Sequence, residues 1–258
     1  MNYRLSTEAL QLCWSEAPWD EVVCGFPVFQ ITDMRLHAGT PSADFEAFEV
    51  QRDHRGVGLV SCRLAHEHMR ESMFLESRGF RFIEMVYRPE IELARLADLP
   101  VEQPLLVRAA TAQDLPELCE IAGSSFRNER FRMDPRLAPE ISDQRYRNWV
   151  SSSLNHPRQR LRVVCDGDLR IAFFVIELLD DGTCYWHLNA VAPAAQGRGY
   201  GRRAWLAMLA EATAMGAQRV QSSIVARNVR VINLYAGLGF RFSEPTMTFH
   251  WVRTDAAQ

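Results

Sequence analysis

The strongest hydrophobic pattern in this chain lies late in it. Trp205, Met208, Leu209 and Ala212 recur at the spacing of one helix face, which predicts a helix over Gly201–Met215 with Gly216 placed to end it. Upstream, the apolar runs Leu161–Asp166 and Leu169–Leu178 flank Asp166-Gly-Asp168, a hairpin signal, and Thr183–Val191 reads as a further strand. Downstream, Arg219–Val225 is strand-like, Val229–Leu238 reads as a short helix and Phe240–Trp251 as a closing strand. Ahead of these, strand-like Leu105–Ala109 leads to a helix that Thr111 or Asp114 is suited to cap, then to a polar loop around Arg127–Pro139. A second helix follows over Ile141–Leu154, with Tyr146 and Trp149 on one face. Hairpins beside a strand–helix–strand crossover predict an α+β fold, with a central mixed sheet flanked by helices.

The first 95 residues repeat part of this pattern more faintly. Val57–Arg63 is strand-like and Leu64–Ser77 helical, and Gly79-Phe-Arg-Phe82 then leaves the helix as Gly239-Phe-Arg-Phe242 does near the other end. Two readings stand: a degenerate internal duplication, or two uses of a common helix stop. Between the halves, the proline-bracketed segment Arg88–Pro104 breaks the pattern and reads as a connector with one short helix. The expected division is an N-terminal α/β region over 1–95, a connector over 96–104 and a second domain over 105–258.

Composition narrows the choices. At 258 residues, 47% hydrophobic and 24% charged, the chain suits two small domains or one large one. A net charge of −3 favours neither nucleic acid nor an anionic membrane surface. No run approaches the apolar length of a membrane span, and no basic segment followed by an apolar one opens the chain, so a cytoplasmic location is expected. The six cysteines (Cys13, Cys24, Cys62, Cys119, Cys165 and Cys184) are scattered without a C-x-x-C pair, so no metal site is expected. All 29 basic residues are arginine, which excludes acylation of the chain's own lysine side chains.

Chemistry concentrates in Leu188–Arg203, LNAVAPAAQGRGYGRR. A strand ends at Val191, Pro193 breaks it, and Gln196, Gly197, Gly199 and Gly201 lead into the long helix. Glycines at such a turn let main-chain N–H groups face inward, and the helix start adds its unpaired N–H groups and positive dipole end. The result is a cradle for a diphosphate, with Arg198, Arg202 and Arg203 supplying charge. A P-loop would need a lysine, which the chain lacks, and the glycine spacing does not fit a dinucleotide fingerprint. A bland glycine-rich turn is the remaining alternative.

Gln196-Gly-Arg-Gly199-Tyr-Gly201, after a strand and opening a helix, resembles the signature of the GNAT acyltransferase superfamily. So does Asn228-Val-Arg-Val-Ile-Asn-Leu-Tyr235-Ala-Gly-Leu-Gly239-Phe240, and the resemblance covers residues 105–252. It implies a GNAT fold, with a degenerate half-repeat as one reading of the N-terminal region, and acetyl-coenzyme A as co-substrate without a metal. It implies that main-chain groups of Leu188, Ala190 and Val191 pair with pantetheine, and that the turn from Gln196 through Gly197, Arg198, Gly199, Tyr200, Gly201 and Arg202 to Arg203 holds the pyrophosphate. Asn228 would contact the cofactor near its thiol arm, and Tyr235 would protonate the departing thiolate. Taken alone, Tyr235 reads as a core tyrosine on an amphipathic helix and Asn228 as a helix N-cap. A strand N–H near Val191 would stabilise charge on the thioester oxygen. For the general base, Glu177 and His187 lie on strands beside the expected cleft, His187 on a strand face with Asn189 and Val191.

The expected activity is N-acetyl transfer to a primary amine, the acceptor a small molecule. The alternatives are a protein or peptide amine, or a coenzyme A-binding module without catalysis. The layout, with Phe131, Asp134-Pro135, Tyr146 and Trp149 ahead of the sheet, loosely resembles the TDP-fucosamine acetyltransferases, which implies a nucleotide-linked amino sugar. Arg127, Arg130 and Arg132 read either as a solvated basic loop or as contacts for its diphosphate. A monomer and a homodimer are both compatible with the sequence.

Overall fold

A computed structural model describes residues 1–96 and 105–253, so the expected connector lies, beyond residue 96, outside the described residues. The chain opens with β1 (Asn2–Ser6), β2 (Leu10–Glu16), α1 (Pro18–Cys24), β3 (Val28–Leu36) and α2 (Pro41–His54). It continues through β4 (Leu59–Ala65), α3 (Met69–Ser77), β5 (Arg81–Tyr87) and β6 (Pro89–Glu92). Then come β7 (Leu106–Ala109), α4 (Leu115–Ser125), α5 (Arg130–Met133), α6 (Pro139–Ser153), β8 (Arg160–Asp166), β9 (Leu169–Leu178) and β10 (Thr183–Val191). The last elements are α7 (Tyr200–Ala214), β11 (Arg219–Ser222), β12 (Ile224–Val225), α8 (Val229–Gly237), β13 (Arg241–Phe242) and β14 (Thr246–Val252). The expected mixed sheet flanked by helices is present, once in each of two units.

The first unit comprises Met1–Val86, Glu129–Ile141 and the stretch from Glu244 onward. Its strands run in the order β1-β2-β3-β4-β14-β5, antiparallel except for β3–β4. Leu10, Leu12, Phe29, Phe45, Phe48, Leu75, Phe80 and Phe249 fill its main core. A side cluster of Ala17, Val28, Leu59, Phe131, Leu137 and Val252 seats the Glu129–Ile141 segment. That segment is pinned by Asp134, which accepts from Arg136 Nε and Nη2 at 2.8 Å and pairs with His250 Nδ1 at 3.0 Å. Burial lowers the pKa of the fully enclosed His250 to about 4, so it is neutral there, while His250 and Arg136 hold Asp134 below the usual carboxylate range.

The second unit comprises Tyr87–Asn128 and Ser142–Ser243. Its order is β7-β8-β9-β10-β11-β6-β13, antiparallel except for β10–β11. β9 is buried from Ile171 to Glu177, as a central strand covered on both faces must be, which explains its unbroken apolar run. Asp114 stands at the α4 entry but makes no cap bond; its carboxylate accepts from Arg108, Arg170 and Thr111, tying β7 and β9 to the helix start. Those two guanidiniums hold its pKa far below the usual range.

The expected linear division gives way to an exchange of strands. Pro89–Glu92, inside the expected connector, is β6 and lies between β11 and β13 of the second unit. The expected closing strand Phe240–Trp251 is two strands, of which β14 lies between β4 and β5 of the first unit.

The two units repeat one plan. β3–β4 and β10–β11 are parallel ladders of four pairs, after which β3 and β10 each run on past that neighbour, paired only on their other edge. Each longer strand carries a bulge just past its last such pair, at Thr32 and at His187. α3 and α8 end alike, with Gly79 and Gly239 at φ of +84° and +87° and with Phe80 N and Phe240 N donating back to Leu75 O and Tyr235 O. The paired Gly-Phe-Arg-Phe segments are therefore parts of a duplication.

Candidate active site

The site begins where a strand loses a neighbour. β10 pairs with β11 from Thr183↔Arg219 to Trp186↔Ser222, and Ser222 Oγ caps the last pair by donating to Trp186 O at 2.9 Å. Along its other edge β10 stays paired with β9 through to Val191↔Ala172. Leu188, Ala190 and Val191 therefore lie on a strand with one edge open to an extended ligand.

The vertex of this splay carries the bulge. Trp186 pairs with Ile176 and Leu188 with Val175, leaving His187 as the extra residue. The inserted residue resets the alternation. Asn189 and Val191 pair with Phe174 and Ala172, on the face of Ile176 and hence of Trp186, whereas His187 turns to Tyr185 and Glu177. The expected shared face for His187, Asn189 and Val191 is thus corrected: simple alternation fails across a bulge.

The turn after β10 has the expected form. Gly197 and Gly199 take φ of +74° and +80°, and Gly199 precedes the first residue of α7 without offering a side-chain cap. The first main-chain N–H groups of α7 then have no intrahelical acceptor. Gln196 Nε2 donates to Val191 O at 3.0 Å, fixing the strand end. Tyr200 OH donates to Asp166 Oδ2 at 2.9 Å, and Arg203 lies 3.6 Å from the same oxygen, so the β8–β9 turn anchors the start of the helix. Arg202 donates to Gly237 O at the end of α8. Arg198 is exposed beside the Tyr200 ring. Gly201 lies in the first turn of α7, where a Cβ would stand 3.7 Å from Leu234 of α8.

Tyr235 is fully buried in a cage of Trp186, Trp205 and Phe240, its ring centroid 4.6 Å from that of Phe240. Among the described residues its hydroxyl has no hydrogen-bond partner, which burial makes costly unless a ligand supplies one. Burial pushes its pKa up to about 12, against the lowering influence of Ser222, Trp205 and Asn189. Ser222 ends the β11 ladder and Asn189 lies on the open part of β10, so the phenol sits at the splay. Asn228 caps α8, its side chain accepting from Val231 N at 3.4 Å.

On the other face, Glu177 bridges two cations or potential cations: Oε2 lies 2.9 Å from His187 Nε2 and Oε1 2.6 Å from Arg158 Nε. Burial lowers the His187 pKa, against the raising influence of Glu177. Trp149 approaches the imidazole, with ring centroids 6.3 Å apart. The three arginines of the early loop are already engaged. Arg127 donates to Ser124 O, Arg130 lies 3.5 Å from Asp20, and Arg132 donates to Pro139 O. Arg130 and Arg132 belong with Phe131 and Asp134 to the first unit, whereas Tyr146 and Trp149 belong to the second.

Sequence reasoning missed Arg158, Asp166 and Ser222. The first two announce themselves only through pairing with residues distant in sequence, Glu177 of β9 and Tyr200 of α7; Ser222 was legible as the last polar residue of a short strand.

In the first unit the same positions have lost this equipment. Leu75 stands where Tyr235 does, and the turn before α2 reads His-Ala-Gly-Thr-Pro instead of Gly-Arg-Gly-Tyr-Gly. Glu71 of α3, itself buried, accepts from Leu36 N on the lone stretch of β3 at 2.9 Å.

Residues 116–240 match the model of the acetyltransferase (GNAT) family. A spore coat polysaccharide biosynthesis protein, SpsD of Bacillus subtilis (strain 168), is 24% identical over 137 residues, which are 53% of this chain and 47% of that protein. The chain thus spans about half the length of this curated relative. Among solved structures, a functionally unknown conserved protein from Staphylococcus epidermidis ATCC 12228 superposes with a TM-score of 0.67 at 12% identity, covering 96% of this chain and 93% of that one. A tandem GNAT protein from the clavulanic acid biosynthesis pathway gives 0.64 at 13% identity, covering 97% and 82%. At these identities the two structures speak for the fold alone. The stretch that holds the open strand edge, the glycine turn and Tyr235, residues 116–240, belongs to the acetyltransferase (GNAT) family.

Proposed function

We propose that the second unit transfers an acetyl group from acetyl-coenzyme A to a primary amine of a small molecule, and that this molecule is a nucleotide-linked amino sugar. The observation that carries the donor assignment is the coincidence of three features at one place. The edge over Leu188–Val191 has no β11 partner, Gly197 and Gly199 take left-handed φ just ahead of α7, and the buried Tyr235 hydroxyl lacks a hydrogen-bond partner among the described residues. An extended pantetheine suits the first, a pyrophosphate the second and a thioester sulfur the third. Acetyl-coenzyme A, when bound, supplies an activated acyl carbon.

This chain's residues do the rest. The free edge of β10 aligns the donor arm as an added strand would. N–H groups at the start of α7, aided by Arg198, hold the diphosphate. A strand N–H near Val191 stabilises charge on the carbonyl oxygen. Tyr235, held protonated by burial, gives its proton to the leaving sulfur, and Asn228 fixes the start of α8, the helix that carries this tyrosine.

The sugar assignment is supported by the kinship with a polysaccharide biosynthesis protein and by the loose resemblance to the TDP-fucosamine acetyltransferases. The test is to supply acetyl-coenzyme A with a TDP-linked 4-amino-4,6-dideoxyhexose, glucosamine, spermidine or a lysine peptide and follow thiol release. Release with the nucleotide sugar above the other amines is expected. Release confined to the peptide overturns the acceptor assignment, and no release with any amine overturns the enzyme itself.

A further inference from the structure

We infer that His187 takes the proton from the attacking amine, with Glu177 and Arg158 as positioning residues; the inference rests on the acetyl-transfer reading above. His187 is the first residue past the last β10–β11 pair, so it stands at the vertex where the thioester would lie, and the bulge turns it away from the face that carries Trp186 and Asn189. Tyr235 packs on the Trp186 face. The two proton-handling groups therefore approach the vertex from opposite faces of one strand. That separation is what the chemistry requires, because the proton lost by the nitrogen and the proton gained by the sulfur belong to different partners.

The ring's tautomer follows from its neighbour. A carboxylate can only accept, so the 2.9 Å contact from Glu177 Oε2 places the imidazole proton on Nε2. Nδ1 then carries the lone pair. The side chain is 21% exposed, and it is at that nitrogen that a bound amine or one bridging water would have to stand. Tyr185, in T-shaped contact at 4.8 Å, and Trp149 limit the ring's rotation. Arg158 Nε, 2.6 Å from the other Glu177 oxygen, fixes the carboxylate in turn. In the duplicated unit Thr32 occupies the corresponding bulge, so the bulge is inherited scaffold and the histidine is particular to the unit with the glycine turn.

The step balances. The amine nitrogen forms a bond to the acyl carbon and the carbon–sulfur bond breaks. The nitrogen's proton passes to His187 Nδ1 and on to solvent, the sulfur takes the Tyr235 proton, and solvent restores the phenol.

The groups facing His187 are Glu177 from β9, Tyr185 from β10, Trp149 from α6, and Arg158 with His156 from the turn before β8. Glu177 stabilises the protonated ring, and Arg158 and His156 oppose it. The experiment measures kcat against pH for the full-length enzyme and for H187Q, E177Q and R158Q, using the acceptor found above, with acetyl-coenzyme A affinity measured by calorimetry. H187Q is expected to lower kcat by about 100-fold, the lower end of what a general base contributes, with donor affinity within about twofold. E177Q should move the acidic limb to lower pH and R158Q should move it to higher pH. A merely structural role would not produce opposite shifts. If the unsubstituted enzyme transfers acetyl groups but the limb stays in place in both E177Q and R158Q, His187 is not the base. If H187Q binds the donor and retains its kcat, the inference fails in the same way. An unsubstituted enzyme that binds the donor and acetylates no amine removes the reading beneath it.

Discussion

Tyr235 and Gly199 put two different costs into the same site. The buried phenol gives up a hydrogen bond in the free protein, which is worth about 1–3 kcal/mol when the group is wholly enclosed. The sulfur would recover it as negative charge develops on it in the transition state, more than in the bound thioester. Tyr235→Phe is accordingly expected to lower kcat about 10- to 100-fold while acetyl-coenzyme A affinity changes less than threefold, as separate turnover and calorimetric measurements would show. Because burial lifts this group to about 12, above the ordinary tyrosine value, its ionisation should cause no loss of rate up to pH 10; a fall centred below that pH would assign the alkaline limb to another group. Gly199 instead carries backbone conformation. A Cβ there would touch nothing within 4 Å, yet φ of +80° is a left-handed value that disfavours any other residue by about 1–2 kcal/mol. Gly199→Val should therefore abolish measurable donor binding through a remodelled turn, with the unit still folded; unchanged affinity would discard the cradle.

At the scale of elements, the open strand edge occurs twice but is left open once. Beside β10 no β11 pairing continues over Leu188–Val191 and Gln196 takes only Val191 O at its end, whereas beside β3 the Glu71 carboxylate already occupies Leu36 N, and the glycine turn and tyrosine are absent. One acetyl-coenzyme A per chain is expected by titration calorimetry, and a stoichiometry of two would show that the Glu71 contact gives way. The elements themselves were largely legible in the sequence, because helices such as α7 and strands such as β10 bury one face and so keep a clean period. The turn from Gln196 to Arg203 was legible for a second reason: left-handed backbone demands glycine. The bulge was not. One inserted residue leaves hydrophobicity along β10 nearly unchanged and yet reverses which face His187 joins. The ties of Asp166 to Tyr200 and of Arg158 to Glu177 were hidden as well, since charges far apart in sequence carry no local mark of their partner.

At the scale of the molecule, the boundary between repeats is where sequence order misleads. Pro89 and the prolines after it read as a connector, but a strand can begin with proline, and β6 does. Its partners β11 and β13 lie far along the chain, where no local pattern could point to them. A cut between residues 96 and 105 therefore leaves each piece without one inner strand: the first without β14, the second without β6. Residues 1–96 and 105–258 made separately are expected to lack a cooperative thermal transition by circular dichroism, and to regain one when mixed only if each supplies its strand to the other. Two independently cooperative fragments would show that these strands are dispensable.

The placement of β14 also sets an order of events during synthesis. The strand that fills the gap between β4 and β5 is translated after everything else in the first sheet. Until Thr246–Val252 emerges from the ribosome, the earliest-made half of the protein must wait as a sheet with a missing slat, its two bare margins available to any passing extended peptide.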